Sequence, residues 1–177
     1  AGRSLTAGAR CDGVNMMAYD NGFLYVSGCY QGAAFTLGSA NASTQTIAST
    51  GGYDIYGAKY DTLGNLIWVD HWGGSGDDIA RSVVVNGSKI VWTGNYNNSF
   101  TVGSGTLSST GASDIFLITT NAAGAALTSQ SFGGVLGDEA WCIAKDKTSN
   151  LYVSGTFNGT CNFRSKSVSS FGSTDVF

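Results

Sequence analysis

Residues 75–94 read SGDDIARSVVVNGSKIVWTG, and residues 136–155 read LGDEAWCIAKDKTSNLYVSG. Residues 12–28, DGVNMMAYDNGFLYVSG, give the same pattern, one residue shorter when counted from the first aspartate. The closing glycines Gly28, Gly94 and Gly155 lie 66 and 61 residues apart. Self-similarity at a near-fixed period is the signature of a repeat architecture, in which each unit buries its apolar face against the next.

A second set of copies follows the first. Residues 51–74, GGYDIYGAKYDTLGNLIWVDHWGG, match residues 111–134, GASDIFLITTNAAGAALTSQSFGG, and a third copy starts as GSTDVF at 172–177. Its aspartates Asp54, Asp114 and Asp175 are 60 and 61 residues apart. Gly28 to Asp54 spans 26 residues, against 20 in the next two copies, so a six-residue surplus accounts for the longer first interval.

Each copy predicts two β-hairpins. ARSVVV and KIVWTG flank Asn86-Gly87, a dipeptide that readily takes the positive φ angles of a tight hairpin turn. IYGAKY and LIWVDHW flank Asp61-Thr62-Leu63-Gly64-Asn65, a spacing that suits a type I turn followed by a left-handed glycine. The strands IFLIT and SVVV are apolar nearly throughout, which predicts burial on both faces. No segment shows sustained helical periodicity. Four strands per unit of about 60 residues, stacked face to face, is the layout of a propeller blade.

The expected fold is therefore all-β, built of four-stranded antiparallel propeller blades in an incomplete ring. Residues 1–8 read as the closing strand of a preceding blade, because GRSLTAGA is similar to AALTSQS at 125–131. Residues 9–74 form the first repeat, 75–134 the second and 135–177 a partial third, within a single propeller domain. Propellers close with four to eight blades. The expectation follows that further blades come from the same longer polypeptide or from other copies.

The markers GDDIARSVVVNGSKIVWTGNYNNSF, D-I-F, the D-x-x-G-N turn and the terminal aromatic-Gly-Gly resemble the repeat of the seven-bladed β-propeller repeat family, over about residues 9–177. The resemblance implies a propeller fold in a secreted or surface-exposed protein. It transfers no catalytic residue, because scaffold positions define that family. The chain departs from it in having too few repeats for a seven-bladed ring.

Composition narrows the function. Of 177 residues, 42% are hydrophobic and only 12% charged, and the net charge is −3 with basic residues scattered. A nucleic-acid groove would need a basic stripe. No apolar run approaches the roughly 18 residues of a membrane span. Cys11 and Cys29, then Cys142 and Cys161, form pairs 18 and 19 residues apart without CxxC spacing. With one histidine in the chain, disulfides in an oxidising compartment fit better than zinc. For Cys142 a buried free thiol fits too. Asn41, Asn86, Asn97 and Asn158 each open an N-x-[ST] glycosylation sequon, in keeping with extracellular exposure.

One stretch holds the ingredients of catalysis: WVDHWGGSGDD at 68–78 contains the single histidine, His71, among carboxylates and indoles. In the repeat alignment His71 falls on Ser131, Trp72 on Phe132 and Asp70 on Gln130. The aromatic and the two glycines recur; the histidine does not. Asp77 aligns with Asp138, and Asp12 is their counterpart in the first copy. Residues that recur once per blade are spread apart by the repeat, whereas an active site gathers unlike groups at one place. The recurring aspartates are thus expected to accept hydrogen bonds from turn amides, with calcium binding as the alternative. The functional expectation is a non-enzymatic extracellular structural or adhesion scaffold that contacts other extracellular proteins, with no cofactor. The alternative is a glycan-binding propeller that stacks sugars on Trp92 and Tyr96.

Overall fold

A computed structural model describes residues 12–177. The strand expected at 1–8 lies outside the described residues, as does Cys11. The first copy contributes β1 (Gly13–Asp20), β2 (Phe23–Tyr30), β3 (Phe35–Gly38), β4 (Thr44–Ile47), β5 (Asp54–Asp61) and β6 (Leu66–Trp72). The second contributes β7 (Ile79–Asn86), β8 (Lys89–Tyr96), β9 (Ser99–Val102), β10 (Gly105–Ser108), β11 (Asp114–Asn121) and β12 (Ala126–Phe132). The third contributes β13 (Glu139–Lys145), β14 (Leu151–Phe157), β15 (Thr160–Phe163), β16 (Lys166–Ser169) and β17 (Asp175–Val176). The described residues contain no helix.

The strands pair antiparallel into sheets ordered β1-β2-β5-β6, β7-β8-β11-β12 and β13-β14-β17, none of them closed. The all-β expectation holds. Each copy, however, has a third hairpin that the sequence pattern did not suggest: the two-stranded ribbons β3–β4, β9–β10 and β15–β16. Their strands are only four residues long, too short for an alternating pattern to stand out. Leu37, Ile47, Phe100, Val102 and Leu107 nevertheless turn inward and are buried.

The turns follow their chemistry. Gly64 N–H donates to Asp61 O at 3.1 Å, and Gly64 has φ +82°, as a type I turn with a left-handed glycine requires. In the other hairpin the two central residues are Gly87 and Ser88, and of these only Gly87 has positive φ, at +65°. That is the pattern of a type II′ turn, which places glycine first.

Sterics explain why Gly28, Gly94 and Gly155 recur. The first strand of each copy carries a β-bulge, between Val14 and Met16, Ala80 and Ser82, and Ala140 and Cys142. Facing it, the glycine lets the bulged backbone come close. A Cβ would lie 2.1 Å from Gly13 O at Gly28, 1.9 Å from Ile79 O at Gly94, and 2.0 Å from Glu139 O at Gly155. The aromatic-Gly-Gly ending has a similar cause. A Cβ on Gly73 would lie 2.2 Å from the Asp54 carboxyl carbon, and one on Gly133 would lie 2.5 Å from that of Asp114. On Gly74 and Gly134 it would strike Ser99 O and Thr160 O in the next copy's ribbon.

The sheets stack front to back. Between the first and second, Tyr25, Ile55 and Trp72 pack with Val83, Val85, Trp92, Phe116 and Ile118. Trp92 is the centre: its ring lies 6.0 Å from Trp72 and 6.4 Å from Trp68, and its Nε1 donates to Thr120 Oγ1 at 3.0 Å. Between the second and third, Ile115 and Phe132 pack with Ala140, Phe157 and Cys161. The middle sheet is therefore covered on both sides. The outer two are not. Strand register makes Met17 the counterpart of Val83, and Met17 is 59% exposed where Val83 is 4%. At the far end Tyr152, the counterpart of Val91, is 59% exposed where Val91 is 2%.

Gly94→Ala is expected to cost about 3 kcal/mol or more, since the clash is with backbone that cannot step aside. Gly13→Ala, whose Cβ meets nothing within 4 Å, should stay within about 0.5 kcal/mol of the parent. Denaturant melts of the two variants read the difference; a Gly94→Ala cost below about 1 kcal/mol would mean that the bulge yields.

Candidate functional site

The polar groups of the fold gather at the junctions between copies, where strands begin beside glycine-rich turns. Asp12 Oδ1 accepts Gln31 N–H at 2.9 Å, Asp78 Oδ1 accepts Asn97 N–H at 3.3 Å, and Asp138 Oδ1 accepts Asn158 N–H at 3.3 Å. The other oxygen reaches back four residues: Gly74 N–H donates to Asp78 Oδ2 at 2.8 Å and Gly134 N–H to Asp138 Oδ2 at 2.7 Å. The counterpart of Asp138 is thus Asp78, one residue beyond the expected Asp77. The Gly-Asp dipeptide common to both copies suggested the wrong register, because Asp77-Asp78 offers two carboxylates and the deeper one occupies the socket. Asp77 is exposed and accepts Tyr53 N–H at 3.0 Å. In the other set, Asp54, Asp114 and Asp175 accept the amides of Thr50, Thr110 and Phe171 at 2.8, 3.0 and 2.7 Å. All six recurring aspartates hold turn amides, as a structural role requires. Among the described residues, no group of three or more His, Cys, Asp or Glu side chains is arranged to hold a metal ion.

Burial controls the protonation of these carboxyls. Asp78 is pushed up to about 7, chiefly by burial, against the pull of the Gly74 and Asn97 amides and with the charges of Asp54 and Asp77 adding to the rise. Burial also raises Asp54, Asp114 and Asp138. Asp54 Oδ1 and Asp114 Oδ1 are buried with no hydrogen-bond partner, and a protonated carboxyl tolerates that setting better than a carboxylate. Asp61 and Asp146, half-buried in their hairpin turns, move the other way: the side-chain amides of Asn65 and Asn150 lead in holding them below the usual carboxylate range.

His71 is exposed and meets Tyr30 edge-on at 6.3 Å, while Trp72 points inward and is buried. Trp92 and Tyr96 are wholly buried. Neither offers a face for a sugar, which removes the alternative of stacking on these two rings; strand periodicity could not show which face the neighbouring sheet covers. The expected Cys142–Cys161 bridge is also corrected. Both are free thiols, Cys142 exposed and Cys161 buried. Burial first, then the Asp138 and Asp114 charges, push the Cys161 thiol up to about 12. Cys29 is buried, and its expected partner Cys11 lies outside the described residues. Of the sequon asparagines, Asn41 is exposed in the β3–β4 turn. The other three are half-buried; Asn86 Nδ2 donates to Ser149 O, and Asn158 Nδ2 donates to Gly137 O.

A group that belongs to no motif stands between the second and third copies. Arg81 is the extra residue of the second bulge; its Nη2 lies 3.3 Å from Glu139 Oε2 and its Nε donates to Asn95 Oδ1 at 3.2 Å. Its guanidinium lies 3.9 Å from the ring centroid of Trp141, the extra residue of the third bulge. Trp141 Nε1 donates to Thr156 Oγ1 at 3.2 Å. The first bulge holds Asn15, whose Nδ2 donates to Ala80 O at 2.6 Å. A bulge re-aims one side chain, and here it aims three different ones, Asn15, Arg81 and Trp141. That disagreement among otherwise matching copies was the available signal. Beside Arg81 opens a cavity of about 400 Å³ lined by Tyr53, Asp77, Asn95, Asn97, Ser113 and Glu139 among others.

No protein-family model and no curated protein matches the chain.

The raised carboxyls set a pH dependence. Folded Asp78 keeps its proton up to about pH 7, whereas the unfolded chain releases it near pH 4. The stability it contributes is complete below about pH 4 and is lost as the pH rises through about 7. Asp61 and Asp146 act oppositely, contributing above about pH 4 and losing that contribution as the pH falls through their lowered values. Thermal melts should therefore peak in weak acid and fall toward pH 8, and Asp78→Asn should remove the larger part of that fall. An undiminished fall in the variant would assign it elsewhere.

Proposed function

We propose that the chain is a non-enzymatic extracellular scaffold of propeller blades, working through rigid protein–protein contacts in a cell-surface, matrix or filament protein. One observation carries the reading. Some equivalent positions are buried where a neighbouring sheet is present and bare where it is not, as Met17 against Val83 and Tyr152 against Val91 illustrate. Bare apolar surface of this extent marks an interaction face. The natural occupant is a further blade, from the same polypeptide or another copy. A scaffold role is supported by the recurring aspartates, whose oxygens hold backbone amides, and by His71, whose ring contact is Tyr30. Low charge and the exposed sequon at Asn41 favour a place outside the cell.

Residues 1–177 in solution should self-associate, as read by light scattering at micromolar concentration. Ala18 packs on the core between the sheets while Met17 and Tyr19 point away from it. Met17→Asp with Tyr19→Lys should therefore shift the population to smaller species with an unchanged far-ultraviolet dichroism spectrum. A parent chain that runs as an 18.2 kDa monomer with a sharp cooperative melt would refute the reading.

A further inference from the structure

The two junctions between copies are built on one backbone plan but closed differently. At the first, Tyr53, Cys29 and Ile79 pack together as an apolar cluster. Strand register and the flanking aspartates identify their counterparts at the second. Ser113 precedes Asp114 as Tyr53 precedes Asp54; Asn95 follows Gly94 as Cys29 follows Gly28; Glu139 follows Asp138 as Ile79 follows Asp78. An apolar trio has become a polar one, and the tyrosine ring has become a hydroxymethyl group. The space that ring would fill lies within the cavity of about 400 Å³.

Stacking gains nothing from the exchange. It removes apolar contact, and it places the buried Asn95 beside a charged pair, both of which cost stability. A junction that only had to pack would keep the apolar trio. The walls indicate what the opening receives. The lining combines Tyr53 and Ile79 with Arg81, Glu139 and Asn95, and Ile79 and Asn95 are cross-strand partners. Arg81 and Glu139 compensate each other's charge at 3.3 Å, so that pair is neutral, and the further charged group on the lining is Asp77. The wall sets donors beside acceptors: guanidinium N–H next to carboxylate oxygen, with the amides of Asn95 and Asn97 adding one of each. A pair of neighbouring hydroxyls matches such a wall, because each hydroxyl donates once and accepts once. The tyrosine and isoleucine wall suits the C–H face of the same ring. The volume falls in the range of small-molecule sites.

We propose that this junction is a saccharide-binding site, taking a neutral pyranose ring between Tyr53 and the Arg81–Glu139–Asn95 wall. Such a site is independent of how many blades the parent assembly holds. The test is saturation-transfer NMR on the full chain with glucose, galactose, mannose, N-acetylglucosamine, cellobiose and lactose as probes, followed by calorimetry on any that respond. At least one is expected to receive saturation. Glu139→Gln should then weaken its binding tenfold or more. Ser113→Tyr, which restores the ring of the first junction, should abolish binding while leaving the thermal melt as high as the parent's or higher. No response from any of the sugars would overturn the assignment, as would binding that survives Ser113→Tyr, or a response only to guanidinium or phosphate included as charged controls.

Discussion

The structure depends on one relation: the front of each sheet is kept dry by the back of the next. Strands such as SVVV and IFLIT are apolar on both sides, so a single sheet of this sequence has no face suited to water. Trp92 shows how closely the relation is built. It lies at the meeting of two sheets, ringed by Trp68 and Trp72, with its one polar atom held by Thr120. Everything else in a copy serves to bring its sheet to that position. The aspartates tie down the glycine turns, and the glycines permit close approach of backbone. The ribbon β9–β10 fills the outer part of the gap with Phe100, Val102 and Leu107.

What the sequence made legible follows from this. The repeat period, the two long hairpins and the roles of Asp54, Asp114 and Asp175 were all readable, because each copy must solve the same steric problem with the same residue. Gly94 could not be anything else with Ile79 O so near. The ribbons were not readable. Their strands bury at most two residues each, and Ser, Thr and Gly fill most of the rest. The register of Asp78 was missed for a related reason: two adjacent carboxylates share one chemistry, and only depth separates them. Whether Trp92 and Tyr96 face solvent was not readable, because strand alternation gives two faces without saying which is covered.

The junction residues carry no repeat signal. Positions that agree between copies mark scaffold. Asn15, Arg81 and Trp141 sit at one geometric position with three chemistries, as do Cys29 and Asn95 or Ile79 and Glu139. Function in a repeat protein is carried where the copies part company. The repeats thus serve as controls for one another: the closed first junction shows what the backbone plan requires, and whatever the second adds is free to serve a ligand.

The bare surfaces at the two ends are unlike. One presents Met17 and Tyr19, the other Tyr152 and Val176. Where one end meets the other end of a second copy, the association would have polarity, each unit offering its head to another's tail. Such addition either returns on itself after a set number of steps or continues without limit. The small rotation from one sheet to the next is therefore the quantity that separates a closed disc from an endless fibre.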